Sequence, residues 1–95
     1  MVTHIVIFTW IPCVTDAQLV AFGQALDRLA ALRSDIVTIR HGPDLAFREG
    51  NGDHALVATF TDKERWVEYQ ADPAHKAFVR DFVTPIQASR LTIQF

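Results

Sequence analysis

Two segments of this chain have the composition of β-strands but are largely apolar on both faces. Residues 2–10 are rich in β-branched and aromatic side chains and end before Pro12, and residues 54–60 have the same character. A strand of this kind has to be covered on both sides. In a single small domain of 95 residues, we expect the helices to cover one face of the sheet. The other face is then predicted to be an interface.

The segments that follow the first strand predict a helix and a second strand. Thr15 is a candidate N-cap, and Gln18 stands three residues later as in a capping box. An apolar stripe at helical spacing continues from there. A second strand is expected at 36–41, ended by the turn signal Gly42-Pro43.

The second half of the chain predicts two helical segments and a last strand. Thr61 is expected to cap a second helix, with Glu64 completing another capping box. Pro73 interrupts this helix because proline removes a backbone donor, and a new helical segment is expected to start there. The last strand is expected at 91–95, where apolar and polar residues alternate.

The predicted order β-α-β-β-α-α-β is the split βαβ arrangement of a ferredoxin-like α+β fold. We expect one domain spanning residues 1–95, with helices on one face of its sheet. Two copies packed sheet to sheet as a two-fold homodimer would bury the open face. The two candidate sets of residues for that open face are Ile5, Ile7 and Val57, or His4, Val6 and Phe8.

Charge and composition exclude several classes of partner. The net charge is −2, and the nine Lys and Arg residues form no basic run, so nucleic acid is not expected as a partner. No apolar stretch is long enough for a membrane span, and the first residues lack the features of a signal peptide. The single cysteine, Cys13, cannot form an internal disulfide. These features predict a cytoplasmic protein.

Three local patterns resemble the stress-responsive A/B barrel (Dabb) family. They are residues 4–8 (HIVIF), 53–60 (DHALVATF) and 69–79 (YQADPAHKAFV). The string Tyr-x-x-x-Pro-Ala-His-x-x-Phe in the third pattern is the most specific. The resemblance covers nearly the whole chain in the same element order. It implies a dimeric α+β barrel, with a cavity in each subunit between the sheet and the helices.

The resemblance also implies candidate chemistry. The family includes stress-induced plant proteins without a known reaction, plant hydroxynitrile lyases, and a cyclase that closes a linear polyketide by an aldol step. In that cyclase the positions of Tyr69 and His75 form a catalytic pair, and the position of His4 lines the pocket. Leu26 stands where the cyclase has a pocket tyrosine, and Gly23 replaces a bulky aromatic residue. These departures argue against the same polyketide substrate.

The residues support the same pair without the analogy. Because Pro73 breaks the helix between Tyr69 and His75, both side chains can turn toward one cavity. A neutral imidazole can take a proton from carbon next to a carbonyl near pH 7. A phenol can donate a hydrogen bond to the oxygen where negative charge develops. The alternative is that His75 only ties the helix junction and Tyr69 is a core residue.

We expect a small apolar or aromatic ligand and no cofactor. His4 lies on a largely apolar strand face, where it is either a pocket residue or a core histidine with a hydrogen-bond partner. His54 is expected to fasten the end of a loop. Trp10 and Trp66 are expected to be core and interface aromatics. The predicted apolar lining of the cavity, with Leu19 beside it, is Phe22, Leu26, Leu56, Phe60 and Phe78.

Three functions stay open at this point. The first is a cofactor-free cyclase or lyase that uses His75 and Tyr69. The second is a non-catalytic dimer that binds a small apolar ligand or contributes to stress tolerance. The third is a monooxygenase of the related dimeric barrel superfamily, ranked last because the first strand has no asparagine. No metal site is predicted, since the four histidines lack paired spacing. His41, Asp44 and Asp53 are a weaker alternative as loop ligands.

Overall fold

The fold is a four-stranded antiparallel sheet with three α-helices, in a computed structural model that describes residues 1–95. The sheet order is β2-β3-β1-β4, which confirms the predicted ferredoxin-like α+β fold. No helix combines the length and the apolar character that a membrane crossing needs. In chain order the elements are β1 (Val2–Trp10), α1 (Asp16–Leu32), β2 (Thr38–Pro43), β3 (His54–Phe60), α2 (Lys63–Ala71), α3 (Pro73–Phe78), a π-helical turn (Val79–Val83) and β4 (Gln87–Gln94).

The two faces of the sheet have different environments. On β1, Val6, Phe8 and Trp10 are buried against the helical layer, whereas Ile7 keeps 40% of its surface exposed. Val57 of β3 is 36% exposed. Of the two candidate sets, the one containing Ile7 and Val57 therefore forms the open face. Strand pairing places these side chains in adjacent rows, Val57 beside Ile5 beside Ile93, and Ala55 beside Ile7 beside Leu91.

The hydrophobic core lies between the covered face of the sheet and the helices. Phe22 of α1 is its centre, with its ring edge-on to Phe8 at 5.5 Å and to Trp10 at 5.0 Å between ring centroids. Leu26 and Ala58 are fully buried beside it. Removing a ring of this kind from a packed core costs about 3–5 kcal/mol, so this cluster holds α1 on the sheet.

One of the two predicted helix caps is confirmed and the other is wrong. Thr15 Oγ1 accepts a hydrogen bond from the backbone N of Gln18 at 3.1 Å, and Gln18 Oε1 accepts from the backbone N of Thr15 at 2.9 Å. Helix α2, however, is capped by Asp62 and not by Thr61. Asp62 Oδ1 accepts from the backbone N of Arg65 at 2.9 Å. A carboxylate at this position also interacts favourably with the helix dipole.

The second strand begins and ends two residues later than predicted. The backbone N–H groups of Ile36 and Val37 both donate to the carbonyl of Arg33 at 3.0 Å, closing a turn after α1. Both side chains are buried, so their apolar character serves the core and not the sheet. Strand β2 then runs on to Pro43, which an edge strand tolerates.

The last strand begins four residues earlier than predicted. Its first half, Gln87 to Arg90, is polar and small, so the sequence pattern did not mark it as a strand. Tertiary pairing with β1 forms it nonetheless. The register places Arg90 opposite Phe8, with a bulge between Thr9 and Trp10. This register directs a row of polar β4 side chains toward the helices.

Candidate active site

A cavity of about 280 Å³ lies between the covered side of β1 and β4 and the segment from α2 to the π-helical turn. His4, Tyr69 and His75, the three candidate catalytic residues, all lie on its wall. Of the predicted apolar lining, Leu56 and Phe78 are also on the wall. The structure therefore brings together side chains from the first strand and the second helical region.

Three of the predicted lining residues lie in the core and not on the cavity wall. Phe22, Leu26 and Phe60 are at most 2% exposed and are absent from the wall. The ring of Phe22 packs 5.7 Å from that of Phe78, and the ring of Phe60 packs 5.4 Å from that of Tyr69. These side chains pack against the wall residues on the side that faces away from the cavity. They therefore support the cavity without facing it. Leu19 lines a separate surface cleft.

Tyr69 and His75 stand side by side, with ring centroids 4.3 Å apart. The break between α2 and α3 creates this arrangement, and Asp72 fixes it. Asp72 Oδ1 accepts from the backbone N of Ala74 at 2.9 Å, which caps α3. Asp72 Oδ2 lies 2.9 Å from Arg33 Nη1. This largely buried ion pair ties the helix junction to the end of α1, and sequence reasoning did not identify it.

The His75 side chain is partly buried, and one of its ring nitrogens has no hydrogen-bond partner. Its Nδ1 is buried, and no protein group bonds to it. Burial, followed by the charges of His4 and Arg90, lowers the pKa of His75 to about 4 against the opposing effect of Asp72. His75 is therefore neutral at pH 7. A neutral imidazole has one nitrogen free to accept a proton or a hydrogen bond.

Tyr69 is suited to donating a hydrogen bond and not to accepting a proton. It is only 3% exposed, and burial raises the pKa of its hydroxyl well above the ordinary value of 10, with Asp72 adding to the shift. The phenol is therefore protonated throughout the neutral range. It can donate a hydrogen bond but is not available as a base. The pair thus places a neutral acceptor next to a protonated donor.

His4 and Trp66 complete the polar part of the wall on this side. Gln94 Nε2 lies 2.8 Å from His4 Nδ1. With the amide donating, the neutral imidazole carries its proton on Nε2. Burial lowers the pKa of His4, and Arg90 adds to this. Trp66, predicted as a core or interface aromatic, is on the cavity wall, and its Nε1–H is buried without a protein partner.

Strand β4 supplies a polar wall that sequence reasoning missed. Arg90, Thr92 and Gln94 line the cavity. The signal was present in the alternation of the last strand, because Leu91 and Ile93 occupy the open face. Their polar neighbours must then face the helices. These three side chains are exposed, so they form the solvent-accessible side of the cavity wall.

The other two histidines form a separate cluster. His41 Nε2 lies 2.6 Å from Asp27 Oδ1, and His41 Nδ1 lies 3.0 Å from His54 Nε2. Burial and, to a smaller extent, the neighbouring His41 together lower the pKa of His54 to about 4. His54 thus joins β3 to β2 and, through His41, to α1. The end of the adjoining loop is fastened instead by Asp53, whose Oδ2 accepts from the backbone N of Trp10 at 2.8 Å.

The acidic and histidine side chains do not assemble into a ligand set for a metal. No group of three or more His, Cys, Asp or Glu residues has a suitable arrangement. Asp44, one of the candidate loop ligands, uses both of its carboxylate oxygens in hydrogen bonds within its own loop. Its Oδ1 accepts from Asn51 Nδ2 at 3.0 Å, and its Oδ2 accepts from the backbone N of Ala46 at 3.0 Å.

The comparisons with known proteins cover nearly the full chain. Residues 2–95 match the model of the Stress responsive A/B Barrel Domain. No curated protein matches the chain. Among solved structures, a dimeric ferredoxin-like protein of unknown function from Thermobifida fusca YX is 32% identical. It superposes with a TM-score of 0.90, over 99% of this chain and 88% of that chain.

Two further structures share the fold at lower identity. A Dabb family protein from Mesorhizobium loti MAFF303099 is 19% identical, with a TM-score of 0.82 over 99% of this chain and 93% of that chain. The hydroxynitrile lyase of Passiflora edulis is 18% identical, with a TM-score of 0.85 over 99% of this chain and 90% of that chain. At these identities the likeness extends to the fold alone, and fold does not fix chemistry.

Proposed function

The chain belongs to the Stress responsive A/B Barrel Domain family, and on that premise we propose that it is a homodimeric, cofactor-free cyclase or lyase acting on a small carbonyl compound. The observation that carries this proposal is the buried, unpartnered Nδ1 of His75 beside the protonated hydroxyl of Tyr69. A buried polar atom without a partner is costly. With the ring proton on Nε2, this nitrogen can accept a proton or a hydrogen bond. The exposed free thiol of Cys13 suits the cytoplasm as the location.

The two side chains divide the chemistry between them. In a cyclisation, His75 removes a proton from carbon next to a carbonyl, and the resulting enolate attacks a second carbonyl of the same molecule. Tyr69 donates a hydrogen bond to the oxygen that gains charge. The unpartnered Nε1–H of Trp66 is a further donor on the wall. The imidazolium then returns its proton to the new alkoxide.

In a lyase reaction the same groups act on a hydroxynitrile. His75 takes the hydroxyl proton, the carbonyl double bond forms, and the bond to the nitrile carbon breaks with its electron pair. Cyanide leaves and takes the proton back from the imidazolium. Because the pKa of His75 is lowered to about 4, mainly by burial, its imidazolium is a stronger acid than an ordinary one and returns its proton readily. The reaction consumes no co-reactant, and His75 ends the cycle in the protonation state in which it began.

The same pKa favours a second candidate function, binding without turnover. A general base is most effective when its pKa lies near the working pH, and that of His75 lies well below it. A neutral imidazole, a phenol and an indole N–H would still recognise a small ligand by hydrogen bonds. The monooxygenase alternative has less support, because the only asparagine of the chain, Asn51, pairs with Asp44 in a loop.

The turnover test uses two probes, mandelonitrile for the lyase and a linear triketone for the cyclase. We expect wild-type protein to release benzaldehyde from the first or to give a cyclic product from the second. His75→Ala, prepared in the same way, serves as the control for contaminating activity. If neither probe nor close analogues react, while they still shift the His75 ring signals in NMR spectra, the binding function replaces the enzymatic one.

The homodimer is proposed from the open face of the sheet. Ile5, Ile7 and Val57 lie together there, and the relative from Thermobifida fusca YX is described as dimeric. An apolar sheet face of this kind is stable when a second copy covers it. We expect Val57→Asp to give monomer or aggregate in sedimentation velocity. Val67→Asp, on an exposed α2 position, is the matched control and should stay dimeric. A wild-type monomer at micromolar concentration would contradict the proposal.

A further inference from the structure

We propose that the cavity takes a small organic acid, whose carboxylate binds at a basic mouth formed by Arg90 and Lys76 while its uncharged part lies against Tyr69 and His75. This names the substrate class of the proposed enzyme or binder and rests on the same cavity being its site. It does not depend on whether the cavity is catalytic.

The first observation is that a second cavity adjoins the first. A space of about 370 Å³ lies on the outer side of His75. The two cavities share Gln70, His75, Val79 and Arg90 as wall residues. His75 therefore stands at the boundary between an inner cavity and an outer mouth. Arg90 lines both cavities together with His75.

The second observation is the charge of that mouth. Lys76, Arg80 and Arg90 line it, and no Asp or Glu lies on the wall of either cavity. Arg80 is neutralised by Asp81, with Nε 2.8 Å from Oδ1. Lys76 and Arg90 form no ion pair within the chain. Since the whole chain has a net charge of −2, this is a local concentration of cations.

The chemistry of these groups selects a carboxylate. One free guanidinium and one free ammonium attract an anionic group. Arg presents a planar fork that binds carboxylates through two parallel hydrogen bonds. Gln70 and Thr84 add polar groups to the mouth. The inner cavity, of about 280 Å³, is at the lower end of small-molecule sites, so the acid is expected to be small.

Binding at Arg90 would also change the base. The Arg90 charge lowers the pKa values of both His75 and His4. A bound carboxylate offsets that charge, so the pKa of His75 rises somewhat from about 4, while burial, its largest cause, still holds it below the ordinary value. Burial, the neighbouring His4 and the opposing Asp72 act on His75 with or without the ligand. His75 would thus become a better base when an acid is bound.

The test compares benzoate with benzamide, its uncharged analogue, by NMR titration of the purified protein. We expect benzoate to bind more tightly and to raise the pKa of His75, while benzamide does not. Arg90→Gln should weaken benzoate binding about tenfold, as loss of a charge-assisted hydrogen bond does, and leave benzamide unchanged. Arg90→Lys should recover part of the difference. Arg28→Gln, an exposed cation on α1 that lines neither cavity, is the matched control.

Several outcomes would overturn this inference. They are equal binding of benzoate and benzamide, no benzoate binding at millimolar concentration, or an Arg90→Gln variant that is folded yet binds benzoate as the wild type does. Phenyl phosphate binding far more tightly than benzoate would assign the mouth to a phosphate instead. Carboxylate binding without turnover would contradict only the enzymatic function. Turnover of uncharged probes without carboxylate preference would contradict only this inference.

Discussion

The domain contains two pairs of histidines that are all partly buried, and the two pairs differ in their hydrogen-bond partners. His41 is hydrogen-bonded through both ring nitrogens, to Asp27 and to His54. His75, beside His4 on the cavity wall, has a buried Nδ1 with no protein partner. Burial lowers the pKa values of His54 and His75 alike, to about 4. A lowered pKa therefore does not separate the two pairs, whereas hydrogen-bond satisfaction does.

The difference shows how to distinguish a structural histidine from a candidate functional one. A buried polar atom with a partner contributes roughly 0.5–1.5 kcal/mol to stability, and one without a partner costs about 1–3 kcal/mol. The Asp27–His41–His54 cluster gains from its own bonds and needs no ligand. His75 bears a cost that a ligand can remove. His75 itself lies on the wall of the cavity, with its Nδ1 enclosed by protein atoms.

The largest expected effect separates the two pairs by turnover. On a probe that wild-type protein converts, His75→Ala should lower kcat/KM by roughly 10²–10⁴-fold, the usual loss of a general base. His41→Ala should leave kcat/KM within a few-fold, because its bonds lie outside the cavity. Steady-state kinetics on both variants tests this. Equal losses in the two would remove the distinction.

Stability should show the reverse order. His41→Ala removes two hydrogen bonds and leaves His54 Nε2 without its partner. We expect the free energy of unfolding to fall by about 1–3 kcal/mol. His75→Ala removes no hydrogen bond and should cost less, through lost packing against Tyr69 alone. Urea denaturation of both variants at neutral pH measures the difference. A more destabilised His75→Ala would make His75 the structural residue.

The pH dependence of stability should depend on both pairs. The folded state holds His54 and His75 at pKa values of about 4, below the ordinary value of 6.5, so the unfolded chain binds more protons between these pH values. The free energy of unfolding therefore has its full value above about pH 6.5, and it decreases as the pH falls toward 4 because the unfolded chain takes up protons first. His54→Gln and His75→Gln should each flatten this decrease. Urea denaturation at several pH values checks it, and an unchanged slope in both variants would contradict it.

The smallest expected effect is at Asp27, the exposed member of the Asp27–His41–His54 cluster. Asp27→Asn keeps the shape of the side chain but removes the charge beside His41 Nε2. A polar contact to an exposed carboxylate contributes little, so we expect the free energy of unfolding to fall by no more than about 0.5–1 kcal/mol. Turnover and benzoate binding should stay at wild-type values. A large loss of either would connect this cluster to the cavity.

Much of the fold could be predicted because its signals are local. The first and third strands have the predicted bounds, and the Thr15 cap is confirmed. Predictions failed where the apolar or polar pattern of a segment did not show which partner its backbone would bond to. Ile36 and Val37 read as a strand but close a turn in the core, and the polar start of β4 forms a strand because β1 pairs with it.

The candidate site divides in the same way. The spacing of Tyr69 and His75 around Pro73 predicted that the two rings could meet, and they lie 4.3 Å apart. The apolar residues Phe22, Leu26 and Phe60 were placed on the wall and lie behind it. An apolar stripe shows that a side chain is buried. It does not show whether the buried surface meets another side chain or a cavity.

The sequence by itself determined the family, the element order, and the tyrosine and histidine of the cavity, because each depends on residues close together in the chain. Only the tertiary structure decided which histidines have partners, and that Arg90 and Gln94 face the cavity. It also decided that Asp72 pairs with Arg33. These facts depend on strand register and helix packing. A shift of one residue in register would turn every β4 side chain to the other face of the sheet.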